Sequence, residues 1–123
     1  MAKLKANYQV IGRWGEEIAA NYLQGQGYEI LDRNVRTAYG ELDLIARFND
    51  VLVFVEVKTR RSTAYGLAEE AITQKKATHI LQSAQAYILS NNFPDIDWRI
   101  DMISIYQAKG KKPVISHIEN AIH

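Results

Sequence analysis

The chain has 123 residues, of which 47% are hydrophobic and 24% are charged, and this size and composition predict one globular domain over residues 1–123. It contains no cysteine, which excludes disulfide scaffolds, cysteine-ligated zinc sites and thiol nucleophiles. The formal net charge is +1, so total charge alone does not indicate a nucleic-acid-binding protein.

Hydrophobic periodicity predicts an α/β fold with the element order α-β-β-β-α-β-β. Near the N-terminus, large apolar residues recur at helical spacing: Ile11, Trp14, Ile18 and Tyr22. The expected elements, in chain order, are a helix over 7–24, strands over 28–35, 41–48 and 51–59, a helix over 73–90 with Thr73 as N-cap, and strands over 98–106 and 114–118. This order is typical of a mixed β-sheet flanked by helices.

The chain shows no segment suited to a membrane. Its longest apolar run covers residues 51–55, whereas a membrane-spanning helix needs about 20 apolar residues. The N-terminal residues contain no apolar stretch of signal-peptide length. We therefore expect a cytoplasmic protein with no membrane partner.

The second and third strands are separated by Asn49 and Asp50, a plausible two-residue hairpin turn. A loop of that length places Asp43 opposite Glu56, with their Cβ atoms about 5 Å apart. It also places Glu41 opposite Lys58. A three-residue loop would instead send Asp43 to the other face of the sheet.

Two opposed carboxylates on an apolar sheet repel each other, and a divalent cation would relieve that repulsion. Oxygen ligands suit Mg²⁺ or Mn²⁺, and Lys58 beside the metal can hold a water or a phosphate oxygen. Asp43, Glu56 and Lys58 are therefore the groups that phosphodiester hydrolysis requires. The alternative is structural: Glu41 and Lys58 form a cross-strand ion pair, and Asp43 accepts hydrogen bonds from backbone amides.

The segments Gly40-Glu-Leu-Asp43 and Val55-Glu-Val-Lys58 resemble the signature of the PD-(D/E)XK nuclease superfamily, with Leu42 in place of the proline that precedes the aspartate. The first helix, with Gly12-Arg-Trp-Gly-Glu16, Leu23 and Gly27-Tyr28, is similar to that of archaeal Holliday junction resolvases. Nearly the whole chain resembles the bacterial YraN-type family, which is described as nuclease-like. Further segments that carry this resemblance are residues 54–60, 65–66, 99–101 and 120–121.

These resemblances imply a restriction-endonuclease-like core and a metal-dependent endonuclease that acts on DNA, with branched or junction DNA as a candidate substrate. In the resolvases a helical glutamate completes the metal site. By spacing this residue is Glu16, with Glu17 as the alternative, so the expected metal ligands are Asp43, Glu56 and Glu16. Lys58 is expected to position the nucleophile, and Glu41 to tune Lys58.

The resolvase-like function further implies two active sites, and therefore a homodimer. The alternative function is a nucleic-acid-binding module that keeps the nuclease fold without catalytic turnover.

Several residues around this signature are expected to contact nucleic acid. Arg60 and Arg61 directly follow the strand that carries Lys58, and Lys75 and Lys76 begin the second helix, where backbone amides favour phosphate. Tyr65 lies in a loop motif of the resembled family. The alternative for these positions is an ordinary solvated surface.

Overall fold

The computed structural model describes residues 2–60, 72–93 and 95–123, with the side chains of the first helix described from Gly12 onward. Within these ranges no helix is long and apolar enough to cross a lipid bilayer. The described elements are helix α1 (Ala2–Gly25), strands β1 (Glu29–Thr37), β2 (Gly40–Phe48) and β3 (Val51–Arg60), helix α2 (Gln74–Ser90), and strands β4 (Asp97–Tyr106) and β5 (Val114–Ile122). The predicted α/β order is confirmed; α1 begins earlier and β5 ends later than the sequence indicated.

The described strands form one sheet in the order β1-β2-β3-β4-β5, in which β3 and β4 are parallel and the other neighbours are antiparallel. A parallel pair needs a crossover connection, and α2 lies within the one that joins β3 to β4. The β2–β3 turn is the predicted two-residue loop. Asn49 and Asp50 adopt φ values of 48° and 64°, and Phe48 pairs with Val51.

The two helices cover opposite faces of the sheet. The buried residues Ala19, Ala20 and Leu23 of α1 pack on one side of β3, against Val53 and Val55. The other face of β3 packs against α2, through a cluster that includes Leu52, Phe54, Ile80, Ala84 and Tyr87. Alternate residues of β3 therefore face different helices, as strand geometry requires.

Helix α1 lies unusually close to the sheet at Gly15. A Cβ atom added there would lie 2.0 Å from Oγ1 of Thr59, so only glycine fits. The buried face of α1 combines Leu23 with the small residues Gly15, Ala19 and Ala20. Trp14, one of the large apolar residues at helical spacing, is 38% exposed, because the close approach of the helix at Gly15 leaves no room for a large side chain there.

Candidate functional site

The candidate site lies where β2 and β3 stop pairing. Their ladder ends at the rung between Leu44 and Val55, although β2 continues beside β1 and β3 continues beside β4. Beyond that rung the backbone N–H of Val57 donates a 2.9 Å hydrogen bond to the side-chain carboxylate of Asp43. A side chain thus replaces the backbone acceptor of the neighbouring strand. We call this region, residues 40–43 of β2 and 56–60 of β3, the fork.

Two acidic side chains meet at the fork. Glu56 is only 6% exposed, and its carboxyl lies beside the backbone N–H of Asp43. Burial and the negative charge of Asp43 together raise the pKa of Glu56 to about 8. Burial also raises the pKa of Asp43, an effect that the hydrogen bond from Val57 partly offsets. The two carboxyl groups therefore resist simultaneous ionisation, and positive charge placed between them would stabilise both.

Two lysines face these acids. Lys58 follows Glu56 on the same face of β3, and Lys76 comes from the first turn of α2. Lys76 is the main cause of a lowered pKa at Lys58, followed by burial. The positive charges of both lysines favour the ionised forms of Asp43 and Glu56.

The sequence placed Lys76 among the candidate site residues, and the start of α2 explains its orientation. Thr73 caps α2 by accepting a 3.1 Å hydrogen bond from the backbone N–H of Lys76. Lys76 also lies one turn before Ile80, which is buried against the sheet. Helical spacing therefore puts Lys76 on the side of α2 that faces the sheet.

Helix α1 brings one further acid near the fork. Glu16 is half-buried, and its pKa is raised by burial and by the charge of Asp43, while the side chain of Asn34 lowers it. Glu17 is exposed and forms an ion pair of 2.7 Å with Arg33 on the protein surface. Glu16 and Glu17 were the two alternatives for a metal ligand on α1. Of these, Glu16 is the one whose carboxyl group is affected by the charge of Asp43.

These donors are all oxygen atoms, which suits Mg²⁺ or Mn²⁺. Among the described residues, no three His, Cys, Asp or Glu side chains converge closely enough to enclose a metal ion by themselves. Mg²⁺ in phosphoryl-transfer sites is commonly held by one or two carboxylates together with water and substrate phosphate. The pair Asp43 and Glu56 fits that mode of binding, with Glu16 in reach of the same charge cluster.

The model of the family described as "Uncharacterised protein family UPF0102" matches residues 15–105, a range that contains the fork and Lys76. The chain belongs to this family. UPF0102 proteins of Syntrophomonas wolfei and Alkaliphilus oremlandii are each 50% identical to it over 113 residues, which is 90% of this chain and 96% of each relative. A UPF0102 protein of Caldanaerobacter subterraneus is 44% identical over 119 residues, or 95% of this chain and 98% of the relative. The YraN-type resemblance is thereby confirmed.

In this UPF0102 protein Glu41 does not face Lys58. The predicted pairing is wrong because the β2–β3 ladder ends before it reaches Glu41. Glu41 pairs instead with Arg36 of β1, and their charged groups are 3.8 Å apart on the surface. Its negative charge still contributes to raising the pKa values of Asp43 and Glu16, so it acts on the acids rather than on the lysine.

The other residues of the UPF0102 protein that were expected to contact nucleic acid lie in several different environments. Arg60 is half-buried at the end of β3, and its Nε atom has no hydrogen-bond partner in the part of the chain that the structure describes. Lys75 is exposed on the first turn of α2. Arg61 and Tyr65 lie outside the described residues.

Proposed function

We propose that this UPF0102 protein is a metal-dependent nuclease that hydrolyses DNA phosphodiester bonds, with branched or junction DNA as its substrate class. The observation that carries this proposal is the pair of acids at the strand fork, buried Glu56 and half-buried Asp43, with Lys58 on the same strand as Glu56. Two partly desolvated acids whose charges repel each other destabilise a fold when both are ionised, unless a cation balances them. Their retention on an otherwise apolar sheet is explained by a function that uses that cation.

Each residue of the fork has a role in this proposal. Asp43 and Glu56 hold Mg²⁺ or Mn²⁺, and Glu16 adds a ligand directly or through a water molecule. When bound, such an ion supplies a Lewis acid and lowers the pKa of water, so that hydroxide is accessible at neutral pH. Lys58 orients the attacking water or an oxygen of the phosphate group, since an ammonium group donates hydrogen bonds to both.

Binding of the DNA backbone is proposed to involve basic residues next to the fork. Arg60 follows Lys58 by two positions and so points to the same face of β3. Lys75, exposed on the first turn of α2, is a further proposed contact. Arg61 and Tyr65 stay candidate contacts on the sequence pattern, outside the described residues. Phosphate contacts of this kind make DNA affinity fall with rising salt, because displaced counterions return to the DNA.

A cleavage panel tests the proposal. Linear, nicked, flapped and four-way DNA are incubated with the wild-type protein in Mg²⁺, in Mn²⁺ and in chelator. Metal-dependent cleavage that is lost in Asp43→Asn and Glu56→Gln supports the nuclease. The matched control is Asp50→Asn, which removes an exposed carboxylate in the hairpin turn, away from the fork.

The second candidate function is a nucleic-acid-binding module without turnover. The same cleavage panel distinguishes it from the nuclease. If the wild-type protein binds DNA yet cleaves no member of the panel with either metal, the binding module replaces the nuclease. Cutting a four-way junction symmetrically further requires two active sites, so the junction-specific form of the proposal includes a homodimer. Light scattering of the protein with and without junction DNA measures that association.

A further inference from the structure

The turn between β1 and β2, formed by Ala38 and Tyr39, is held by hydroxyl groups. The hydroxyl of Thr37 accepts a 3.1 Å hydrogen bond from the backbone N–H of Tyr39. The same hydroxyl donates to the carbonyl of Gly40 at 2.9 Å and lies 2.8 Å from the hydroxyl of Ser83 on α2. One side chain thus joins both ends of the turn and fastens them to the helix.

The contact with α2 uses a position in the core. Ser83 is 1% exposed and lies on the sheet-facing side of the helix between buried Ile80 and Ala84. A hydroxyl in such a place must find a hydrogen-bond partner, whereas an apolar side chain would need none. The partner of Ser83 is Thr37. A buried polar contact is therefore used to fix the turn beside the fork.

The fixed turn presents an aromatic ring next to the fork. Tyr39 is 47% exposed, and its ring stacks on no aromatic side chain of the described residues. It directly precedes Gly40, where the fork begins, and is four residues from Asp43, so their Cα atoms are no more than about 14 Å apart. An exposed ring on a backbone that is already ordered can stack on a flat ligand at little cost in conformational entropy.

The surroundings of this ring are polar. Its exposed neighbours include Arg36, whose side chain is 81% exposed, and Glu41, which lies 3.8 Å from that guanidinium group. A single ring among charged groups does not form the contiguous apolar patch that marks a protein interface. It matches one nucleobase of a nucleic acid, because the ring can stack on the base while a cation lies near the phosphate.

We infer that Tyr39 stacks on an unpaired base of the DNA, within a few nucleotides of the phosphate at the fork. The inference rests on the proposed function for the identity of the ligand, and on the turn for the position of the contact. The bases of a duplex are stacked on one another, and exposing one costs free energy. An exposed ring therefore reaches the face of a base most readily at a flap, a branch or a strand end. Tyr39 thus favours DNA with unpaired nucleotides over linear duplex.

The experiment measures equilibrium binding of fluorescently labelled DNA, in chelator and again with Ca²⁺ in place of Mg²⁺. A linear duplex is compared with the same duplex carrying a single-stranded flap. The proteins are the wild type, Tyr39→Ala, Tyr39→Phe and the control Leu89→Ala, which changes a 79% exposed residue near the other end of α2.

Tyr39→Ala should lose about 5-fold to 100-fold in affinity for the flapped DNA, as for loss of one stacked base, and keep its affinity for the duplex. Tyr39→Phe retains the ring and should bind like the wild type, as should Leu89→Ala. Because Tyr39 is exposed, the melting temperature of Tyr39→Ala should stay close to that of the wild type.

A second readout identifies the base. Flapped DNA with an abasic nucleotide at one position near the branch should bind more weakly to the wild type but not to Tyr39→Ala, because both changes remove the same contact. The dependence of log affinity on log salt should be equal for the two proteins, since stacking displaces no counterions from phosphate.

The outcomes separate the two proposals. If no DNA is cleaved with either metal while Tyr39→Ala loses the preference for flapped DNA, the nuclease fails and the stacking site stands. If DNA is cleaved at the fork but Tyr39→Ala binds flapped DNA like the wild type, the nuclease stands and the inference is overturned. It is also overturned if the wild type shows no preference for flapped DNA, or if Tyr39→Ala weakens binding to duplex and flapped DNA equally.

Discussion

The carboxylate of Asp43 accepts a 2.9 Å hydrogen bond from the backbone N–H of Val57, across the gap left where the β2–β3 ladder ends. The side chain therefore performs a structural task and holds a negative charge at the fork at the same time. One carboxylate oxygen can accept from Val57 while the other remains available to a cation.

Replacing Asp43 by Asn separates these two tasks. The amide oxygen of Asn can still accept from Val57, while the charge that opposes Glu56 is removed. We therefore expect metal-free Asp43→Asn to melt at the wild-type temperature or higher. Mg²⁺ should raise the melting temperature of the wild type in a concentration-dependent way, and that of the variant much less. Thermal melts in chelator and across a Mg²⁺ series provide the measurement.

The control for that series is Asp50→Asn, which should respond to Mg²⁺ like the wild type. If Asp43→Asn melts at a clearly lower temperature in chelator, and Mg²⁺ changes the melting temperature of neither protein, Asp43 has only a structural role. The proposed metal site is then wrong. An Asp whose hydrogen bonds are purely structural would contribute about 1 to 3 kcal/mol.

Stability of the metal-free protein should depend on pH through Glu56. Its pKa is raised from 4.5 to about 8 on folding, so between these values the unfolded chain releases a proton that the folded chain holds. The stabilising contribution is complete below pH 4.5 and is lost as pH rises through about 8. Urea unfolding in chelator should therefore show stability falling from pH 5 to pH 8, by about 3 to 4 kcal/mol.

Glu56→Gln should remove most of that pH dependence and be the more stable protein at pH 8. Glu17→Gln, which changes an exposed glutamate of α1, should retain the wild-type slope. A Glu56→Gln protein with an unchanged slope would show that other groups cause it.

The hairpin that builds the fork could be predicted from the sequence, because a turn of Asn49 and Asp50 suits the left-handed backbone of a two-residue loop. That turn fixes the register from Phe48 and Val51 back to Leu44 and Val55. The end of the ladder could not be predicted in this way. It depends on a side chain outcompeting a backbone acceptor, and local periodicity contains no information about that competition.

Contacts between elements that are distant in the sequence could not be predicted either. The strand pattern identified Lys58 and the helix start identified Lys76, but the effect of one charge on the other depends on how α2 packs on the sheet. The apolar spacing of α1 identified Ile18 and Tyr22, which pack against the core, whereas the close approach at Gly15 depends on contact with Thr59 of a distant strand.

The close packing of α1 predicts a sharp difference between two glycines of that helix. Gly15→Ala would place a Cβ atom against Oγ1 of Thr59, whereas a Cβ at Gly12 meets no atom of the described residues within 4 Å. We expect Gly15→Ala to destabilise the protein by about 1 to 3 kcal/mol through overpacking. Gly12→Ala should stabilise it by up to about 1 kcal/mol, because alanine favours helix.

Denaturant unfolding of the two variants measures this difference, and Thr59→Ala in the Gly15→Ala background should recover part of the loss. Equal stabilisation by both substitutions would contradict the close approach of α1 to β3.

A buried polar cluster on the α1 side of the sheet should matter for stability. The carboxylate of Asp101, which is 0% exposed, accepts hydrogen bonds from Arg99 at 2.9 Å and from the backbone N–H of Asn120 at 3.0 Å, and lies 2.8 Å from Nε2 of His117. Asp101→Asn removes the nearest counter-charge of the partly buried Arg99 and leaves only Glu119, at 3.8 Å, so we expect a loss of about 1.5 to 3 kcal/mol.

The matched control is Asp97→Asn, an exposed position at the start of the same strand, where we expect a change within about 0.5 kcal/mol. Urea midpoints compare the two variants. An Asp101→Asn protein as stable as the control would mean that the cluster contributes no net stabilisation.

The rate of Mg²⁺-dependent DNA cleavage by Asp43→Asn, beside wild type and Asp50→Asn purified in parallel, tests the central claim most directly. Removing a group that holds the metal should cost a factor of at least about 10³ in single-turnover rate. We predict that Asp50→Asn retains the wild-type rate while Asp43→Asn falls to the level seen in chelator. If Asp43→Asn cleaves as fast as the wild type, the fork is not the catalytic site.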